Sequence, residues 1–266
     1  MTTCGLINVI QPDLAAHDLH FGFRDRMVLQ GASLQVRAGE VVSLLGANGS
    51  GKSTLLRLVM GFLTPSQGRV ELAGRLVSSL RRREVARRLA YVPQAHSSPF
   101  PYTVREIALL GRLPHRGLTR VPNREDGAVV DDVLERLGIG HLAHRPYTEI
   151  SGGERQLTLI GRAIAQGAST LVLDEPVSGL DYGNQVRLLA RLRDLARTGY
   201  AVLKTTHHPD HALAGSDRVV LLQDGRITAA GAPADVLTAG NISALYGVTV
   251  EMLHDTKGRA AGFRPI

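Results

Sequence analysis

Tryptophan is absent from the chain, and only five phenylalanines and six tyrosines stand among its 266 residues. A core can still form, because 44% of the residues are apolar, but it must be aliphatic. The single cysteine, Cys4, cannot close an internal disulfide, which fits a reducing compartment. No run approaches the roughly 18 consecutive apolar residues that a spanning helix needs, so nothing is expected to cross a bilayer. The first basic residue is Arg24, leaving the N-terminus without the basic region of a secretory signal, and the expected location is cytosolic. Repeats, low-complexity tracts and long polar linkers are also missing. The length then allows one large domain or two modest ones.

Lysine is nearly absent too. Of 31 basic residues only Lys52, Lys204 and Lys257 are lysines. The net charge of +7 would suit nucleotides, anionic lipid surfaces or nucleic acid, but an arginine bias this strong looks compositional and says little about partners. A lysine kept where arginine is the rule is more informative, and Lys52 closes the stretch GANGSGKS, residues 46–53.

What is present alternates between strand and helix. Leu19 to Leu34 reads as a hairpin broken at RDR, Glu40 to Leu45 as an apolar strand, and LLRLVMGFL as a helix closed by Thr64-Pro65. Arg81 to Arg88 reads as an exposed basic helix. Residues from about 95 to 150 have helical periodicity and few β-branched runs, as in a helical insertion. Further strands are expected at LAYVPQ, TLVLDE and YAVLKTT, a helix over Gly183 to Thr198, and a hairpin turning at Asp224-Gly225. The implied class is α/β, with a mostly parallel sheet covered on both faces and a smaller antiparallel β subdomain ahead of it.

Residues 46–53 fit the phosphate-loop pattern G-x-x-x-x-G-K-[ST] between a strand and a helix. Gly46, Asn48, Gly49, Ser50 and Gly51 would wrap phosphate oxygens with their amides. Lys52 would put a point charge on the β- and γ-phosphates, Ser53 a hydroxyl on Mg²⁺, and Thr54 would extend the binding loop. Asp174, ending the apolar strand, could hold Mg²⁺ directly or through water. Glu175, facing the other side of the strand end, could orient or deprotonate an attacking water. Hydrolysis of a nucleoside triphosphate follows.

A second glycine-bearing helix start raises a different question. In ISGGERQ, Ser151 and Glu154 have the spacing of a capping box, while Gly152 and Gly153 strip side chains from amides that attract anions. Spacing alone leaves open whether Ser151 caps a helix or grips a phosphate.

Taken with the phosphate loop, ISGGERQ resembles the Leu-Ser-Gly-Gly-Gln signature of the ATP-binding cassette (ABC) family. Gln94 in YVPQ matches that family's Q-loop, SGLD ending at Asp181 its D-loop, His207 in TTHHPD its switch histidine, and Phe23 the aromatic ring set against adenine. The resemblance covers roughly residues 17–248, with a helical subdomain inserted at about 95–150 and a C-terminal hairpin or tail at 249–266. It implies a head-to-tail dimer, in which Ser151, Gly152 and Gly153 bind the γ-phosphate of a nucleotide held by the other copy. It also makes Gln94 a Mg²⁺ ligand as well as a catalytic-site residue, and His207 a γ-phosphate contact. Ile150, Glu154 and Phe23 depart from the commonest residues of the pattern, and Glu154 adds negative charge near phosphate. HHPDH, with His207, His208 and His211, could alternatively suggest a metal site.

One cassette without heptads favours a transport motor over a soluble ATPase acting on DNA or ribosomes, so no nucleic-acid partner is expected. SPFPYTVREIALLGRLPHRG and YGVTVEMLHDTKGRAAGFRP resemble importers of iron chelates, haem, cobalamin and related complexes. That resemblance implies membrane-spanning permease subunits docked near Ser97 to Arg112, an extracytoplasmic solute-binding protein, and a peripheral place on the cytoplasmic face of the membrane. The remaining histidines, His17, His20, His96, His115, His141 and His144, read as surface or loop residues.

Overall fold

In the computed structural model, which describes residues 12–24, 26–94, 101–116 and 121–266, the chain opens with a long antiparallel hairpin. β1 (Leu14–Phe23) pairs with β2 (Arg26–Val36). β3 (Val41–Leu45) then enters a different sheet, and the glycine-rich loop leads from its end into α1 (Lys52–Val59). β4 (Gln67–Leu72) returns to β1, and β5 (Arg75–Leu76) completes a four-stranded antiparallel layer in the order β2-β1-β4-β5. This is the expected antiparallel β subdomain.

After α2 (Arg82–Ala86) and β6 (Leu89–Val92) the chain turns helical, with α3 (Val104–Leu109), α4 (Leu113–Arg116), α5 (Arg124–Arg136) and α6 (Gly152–Ala165). Strands and helices then alternate: β7 (Thr170–Leu173), α7 (Tyr182–Arg197), β8 (Ala201–Thr206), α8 (Pro209–Gly215), β9 (Arg218–Gln223) and β10 (Arg226–Gly231). The six-stranded sheet runs β10-β9-β3-β8-β7-β6, parallel except at β10. Every residue of β3, β7 and β8 is buried, as parallel strands covered on both faces require, whereas the edge strand β10 alternates with exposed positions. The chain closes with α9 (Pro233–Val236), α10 (Ala239–Tyr246) and the hairpin β11 (Val250–His254) to β12 (Ala260–Pro265).

Local chemistry explains most boundaries. Thr103, Asn123, Ser151 and Asp181 each accept a backbone N–H at the start of α3, α5, α6 and α7. The β9–β10 hairpin turns at Asp224 and Gly225, both with positive φ (49° and 75°), the conformation of a type I′ turn. α1 stops earlier than its apolar run suggests. Gly61 takes φ 70°, its N–H bonds to Leu58 O at 2.9 Å, and Phe62 N–H bonds to Arg57 O at 2.8 Å. This Schellman cap ends the helix ahead of Thr64-Pro65 and leaves Phe62 67% exposed.

One further reading needs correcting. His17 and His20 lie half-buried on β1, where the strand carries them toward neighbours such as Glu71 and Asp18. His115 is half-buried in α4, its ring nitrogen 2.8 Å from Gln166 O, because α4 packs beside the end of α6. His141 and His144 are exposed. Cys4, His96 and positions 97–100 of the expected docking segment lie outside the described residues. α6 shares one apolar cluster with α3 and α5.

Candidate active site

Four functional segments leave the carboxyl ends of strands in one sheet: the glycine loop after β3, Gln94 after β6, Asp174 and Glu175 after β7, and His207 after β8. A crevice at that edge is where open α/β sheets bind ligands. A cavity of about 440 Å³ sits there, lined by Val28, Asn48, Gly49, Gly51, Lys52, Ser53, Thr54, Gln94, Asp174, Glu175, Ser178 and His207.

The loop is shaped by its glycines. Gly49 and Gly51 take φ 82° and 107°, which a side chain would strain. A Cβ on Gly46 would come within 2.5 Å of Leu222 O and Ser50 Oγ. Gly51 provides no side-chain cap, so the first amides of α1 remain available to an anion in the cavity. Lys52 folds over the loop and donates to Gly46 O at 2.8 Å and Ala47 O at 3.0 Å. Burial lowers its pKa, and the charges of Glu175 and Asp174 act in the opposite sense.

The carboxylates are held by neighbours that the sequence did not single out. Thr205 Oγ1 donates to Asp174 Oδ1 at 2.7 Å and accepts from Glu175 N–H at 2.8 Å, so one hydroxyl sets both residues. Glu175 sits at φ 45°, an uncommon conformation for a side-chain-bearing residue. Its Oε1 lies 2.9 Å from His207 Nδ1, and its Oε2 accepts from Gln94 Nε2 at 3.0 Å. Gln94 also reaches Ser178 Oγ at 3.4 Å. Sequence reasoning missed Val28, Ser178 and Thr205; the T-T pair before HHPDH was the only local hint of the last.

The three histidines do not converge on a point. His207 and His208 lie tilted against each other with ring centroids 4.0 Å apart, His208 and His211 at 4.7 Å, and His211 Nε2 pairs with Gln185 Oε1 at 3.1 Å. Burial, aided by His208 and by Lys204, lowers the pKa of His211 to about 4. Among the described residues no group of three His, Cys, Asp or Glu side chains has metal-binding geometry.

Phe23, Asp181 and the Ser151 helix start are not among the residues that line the cavity. Phe23 is 50% exposed at the end of β1, edge-on to Phe21 at 4.9 Å. Ser151 caps α6: its Oγ accepts from Glu154 N–H at 3.3 Å, and Glu154 Oε2 accepts from Ser151 N–H at 2.7 Å. Hydrogen bonds to the carboxyl from the Ser151 side chain and backbone hold Glu154 below its ordinary pKa. A Cβ on Gly153 would lie 2.9 Å from Asn184 Cγ, and Asn184 in turn donates to Asp181 Oδ2 at 2.6 Å. The second glycine of the pair is therefore what lets the start of α6 press against the start of α7. Hydrogen bonding from Asn184 also lowers the pKa of Asp181.

A larger groove, about 760 Å³, opens between the two layers, lined among others by Phe62, Val85, Tyr91, Leu110, Leu113 and Pro114. It takes in Leu110 to Arg112 only in part, and most of its apolar wall comes from before the expected docking segment.

Comparison with known proteins gives a consistent picture. The family model described as "ABC transporter" matches residues 29–178. A hemin import ATP-binding protein of Streptomyces coelicolor is 41% identical over 238 residues, covering 90% of this chain and 84% of that protein. A cobalamin import ATP-binding protein of Halobacterium salinarum is 41% identical over 240 residues, covering 90% of this chain and 60% of that protein. A solved structure of a metal-chelate type ABC transporter in an inward-facing conformation superposes with a TM-score of 0.85 at 33% identity, covering 96% of this chain and 98% of the other.

Proposed function

The chain belongs to the ABC transporter family as an ATP-hydrolysing, ATP-binding subunit, and from that premise we propose that it drives import of a metal chelate of the haem, cobalamin or iron-siderophore class. Two copies would act head to tail on membrane permease subunits, supplied by an extracytoplasmic solute-binding protein. The observation that carries the dimer is the separation within one chain: Lys52, Asp174, Glu175, Gln94 and His207 face a single cavity, while Ser151, Gly152 and Gly153 do not line it. The chelate class rests on the two import relatives and the metal-chelate transporter structure.

In this reading the loop amides and Lys52 hold the β- and γ-phosphates, and Phe23 stacks on the base. Glu175, oriented by its N–H bond to Thr205 Oγ1 and by Gln94 on its carboxylate, accepts a proton from the attacking water. His207 and Lys52 stabilise charge developing on the γ-phosphoryl. Ser53, open to the cavity, and Asp174, fixed by Thr205, are suited by oxygen chemistry to hold Mg²⁺ with Gln94 alongside. Bound there, Mg²⁺ would neutralise charge on the phosphates. The partner's signature helix would complete the pocket, and closure of the two copies would shift the permease between its two states.

No helix of the described residues is long and apolar enough to cross a membrane. In the proposed assembly attachment to the cytoplasmic face comes from docking on the permease, for which the Phe62–Leu110 groove offers an apolar seat. Reconstitution with a permease of the chelate-importer class, in vesicles loaded with ATP, tests the proposal. Uptake of haem, cobalamin or a ferric siderophore is expected. Uptake confined to a metal-free solute would overturn the chelate assignment.

A further inference from the structure

The C-terminal segment reaches the catalytic histidine. Tyr246, the last residue of α10, donates its hydroxyl to the backbone O of His207 at 2.7 Å. His207 is the residue whose Nδ1 lies 2.9 Å from Glu175 Oε1. The bond therefore grips the main chain of the loop between β8 and α8 at the point from which the imidazole is aimed.

The phenol is itself well anchored. Tyr246 packs on an apolar cluster containing Leu45, Ala212, Leu221, Ile242, Leu245 and Val250, which joins the end of β3 to α8, α10 and β11. Burial first, and then the charge of Glu175, raise its pKa, so the group stays a hydrogen-bond donor over the working pH range. Gly247 follows in the left-handed conformation and closes α10 immediately after the tyrosine. Beyond it β12 lies against α8, with a Cβ on Gly262 falling 3.4 Å from Asp210 Oδ1. Both ends of the His207 segment are thus braced by the C-terminal elements.

We propose that Tyr246 is a positioning residue for hydrolysis: by holding the His207 carbonyl it fixes the imidazole against Glu175, and it makes residues 239–265 part of the catalytic apparatus rather than an appendage. The proposal rests on the assignment of His207 above. A loop carbonyl held by one hydroxyl is worth about one ordinary hydrogen bond, so a change of about three- to tenfold is expected when it is lost.

Steady-state ATP hydrolysis by the full chain in its permease complex tests this with Tyr246→Phe, His207→Ala and the double variant, each across ATP concentration. Tyr246→Phe should lower kcat about three- to tenfold with KM for ATP unchanged within about twofold, which a general loosening of the nucleotide pocket would not do. The double variant should be no slower than His207→Ala alone. If Tyr246→Phe keeps full kcat while His207→Ala is impaired, the inference fails and the assignment of His207 stands. Additive losses in the double variant also overturn it, because the tyrosine would then act by another route. If His207→Ala turns over normally, the assignment itself falls, and the inference with it.

Discussion

Two helices in this molecule begin with glycines, and they are finished in opposite ways. α1 starts at Gly51, in the left-handed region and with no side chain capping its amides, on the wall of a cavity that also holds Lys52, Glu175 and His207. α6 starts at Ser151 with both halves of a capping box made, and the serine and the next glycine are exposed. The first helix end has no side-chain cap and stays open to a ligand. The second is already satisfied by its own side chains, faces outward and is backed by Asn184. A helix end that is complete and exposed makes sense as one wall of a site whose other walls belong to another molecule. In the proposed dimer the two ends meet across the seam, one from each copy.

The sharpest way to break that comparison is to damage each end separately and then mix. Glu175→Gln removes the proposed proton acceptor from the cavity and should bind ATP while lowering turnover by at least about a hundredfold. Ser151→Arg puts a bulky cation on the exposed end and should likewise retain binding and lose turnover. When chains carrying one change are mixed with chains carrying the other, half the dimers should have both lesions in one pocket and an intact second pocket. Activity should then rise to about a quarter of wild type, by the statistics of a twofold dimer. Mixed material no more active than its parents would mean that the signature serves its own chain.

The contrast between the two ends also sorts what could be read from the linear chain. The phosphate loop, the Asp174-Glu175 pair and the Asp224-Gly225 turn are contiguous, and each is dictated by backbone needs that only glycines and a few polar residues meet. The ISGGE cap is local for the same reason. What stayed hidden is tertiary. Thr205 serves Asp174 and Glu175 across neighbouring strands, Tyr246 meets His207 from 39 residues away, and Val28 enters the cavity from the other sheet. The helix stop at Gly61 was missed because apolar periodicity continued through Phe62, while the left-handed glycine and its two backward hydrogen bonds decide the matter locally.

A subtler distinction is why the exposed end needs two glycines. If Gly153 is small only to let a phosphate approach, replacing it with alanine should be harmful whatever stands at position 184. The geometry says otherwise, since its added Cβ would meet Asn184 Cγ at 2.9 Å rather than open solvent. Gly153→Ala is therefore expected to slow hydrolysis about tenfold by pushing the start of α6 off α7, a displacement of the order that costs far more when it is a full ångström. Adding Asn184→Ala should recover most of that loss. Failure of the second change to rescue the first would return Gly153 to a purely ligand-facing role.

The smallest effect is expected at the acidic residue of the exposed helix start. Glu154 brings negative charge to the exposed end, yet its carboxylate is committed to the Ser151 N–H at 2.7 Å and so points back into the cap. Glu154→Gln keeps an oxygen acceptor in the same place, and kcat should change by less than about threefold. The two forms should separate in acid instead. Because the Ser151 bonds depress the carboxyl's pKa in the folded chain from a reference of 4.5, its contribution is present above that value and is lost as pH falls through the lowered one. Thermal melts between about pH 6 and 3 should therefore converge for the two proteins on the acid side, with wild type the more pH-dependent. A large rise in kcat on removing the charge would show instead that the carboxylate is felt by the phosphate, and that the exposed end is tuned electrostatically as well as by shape.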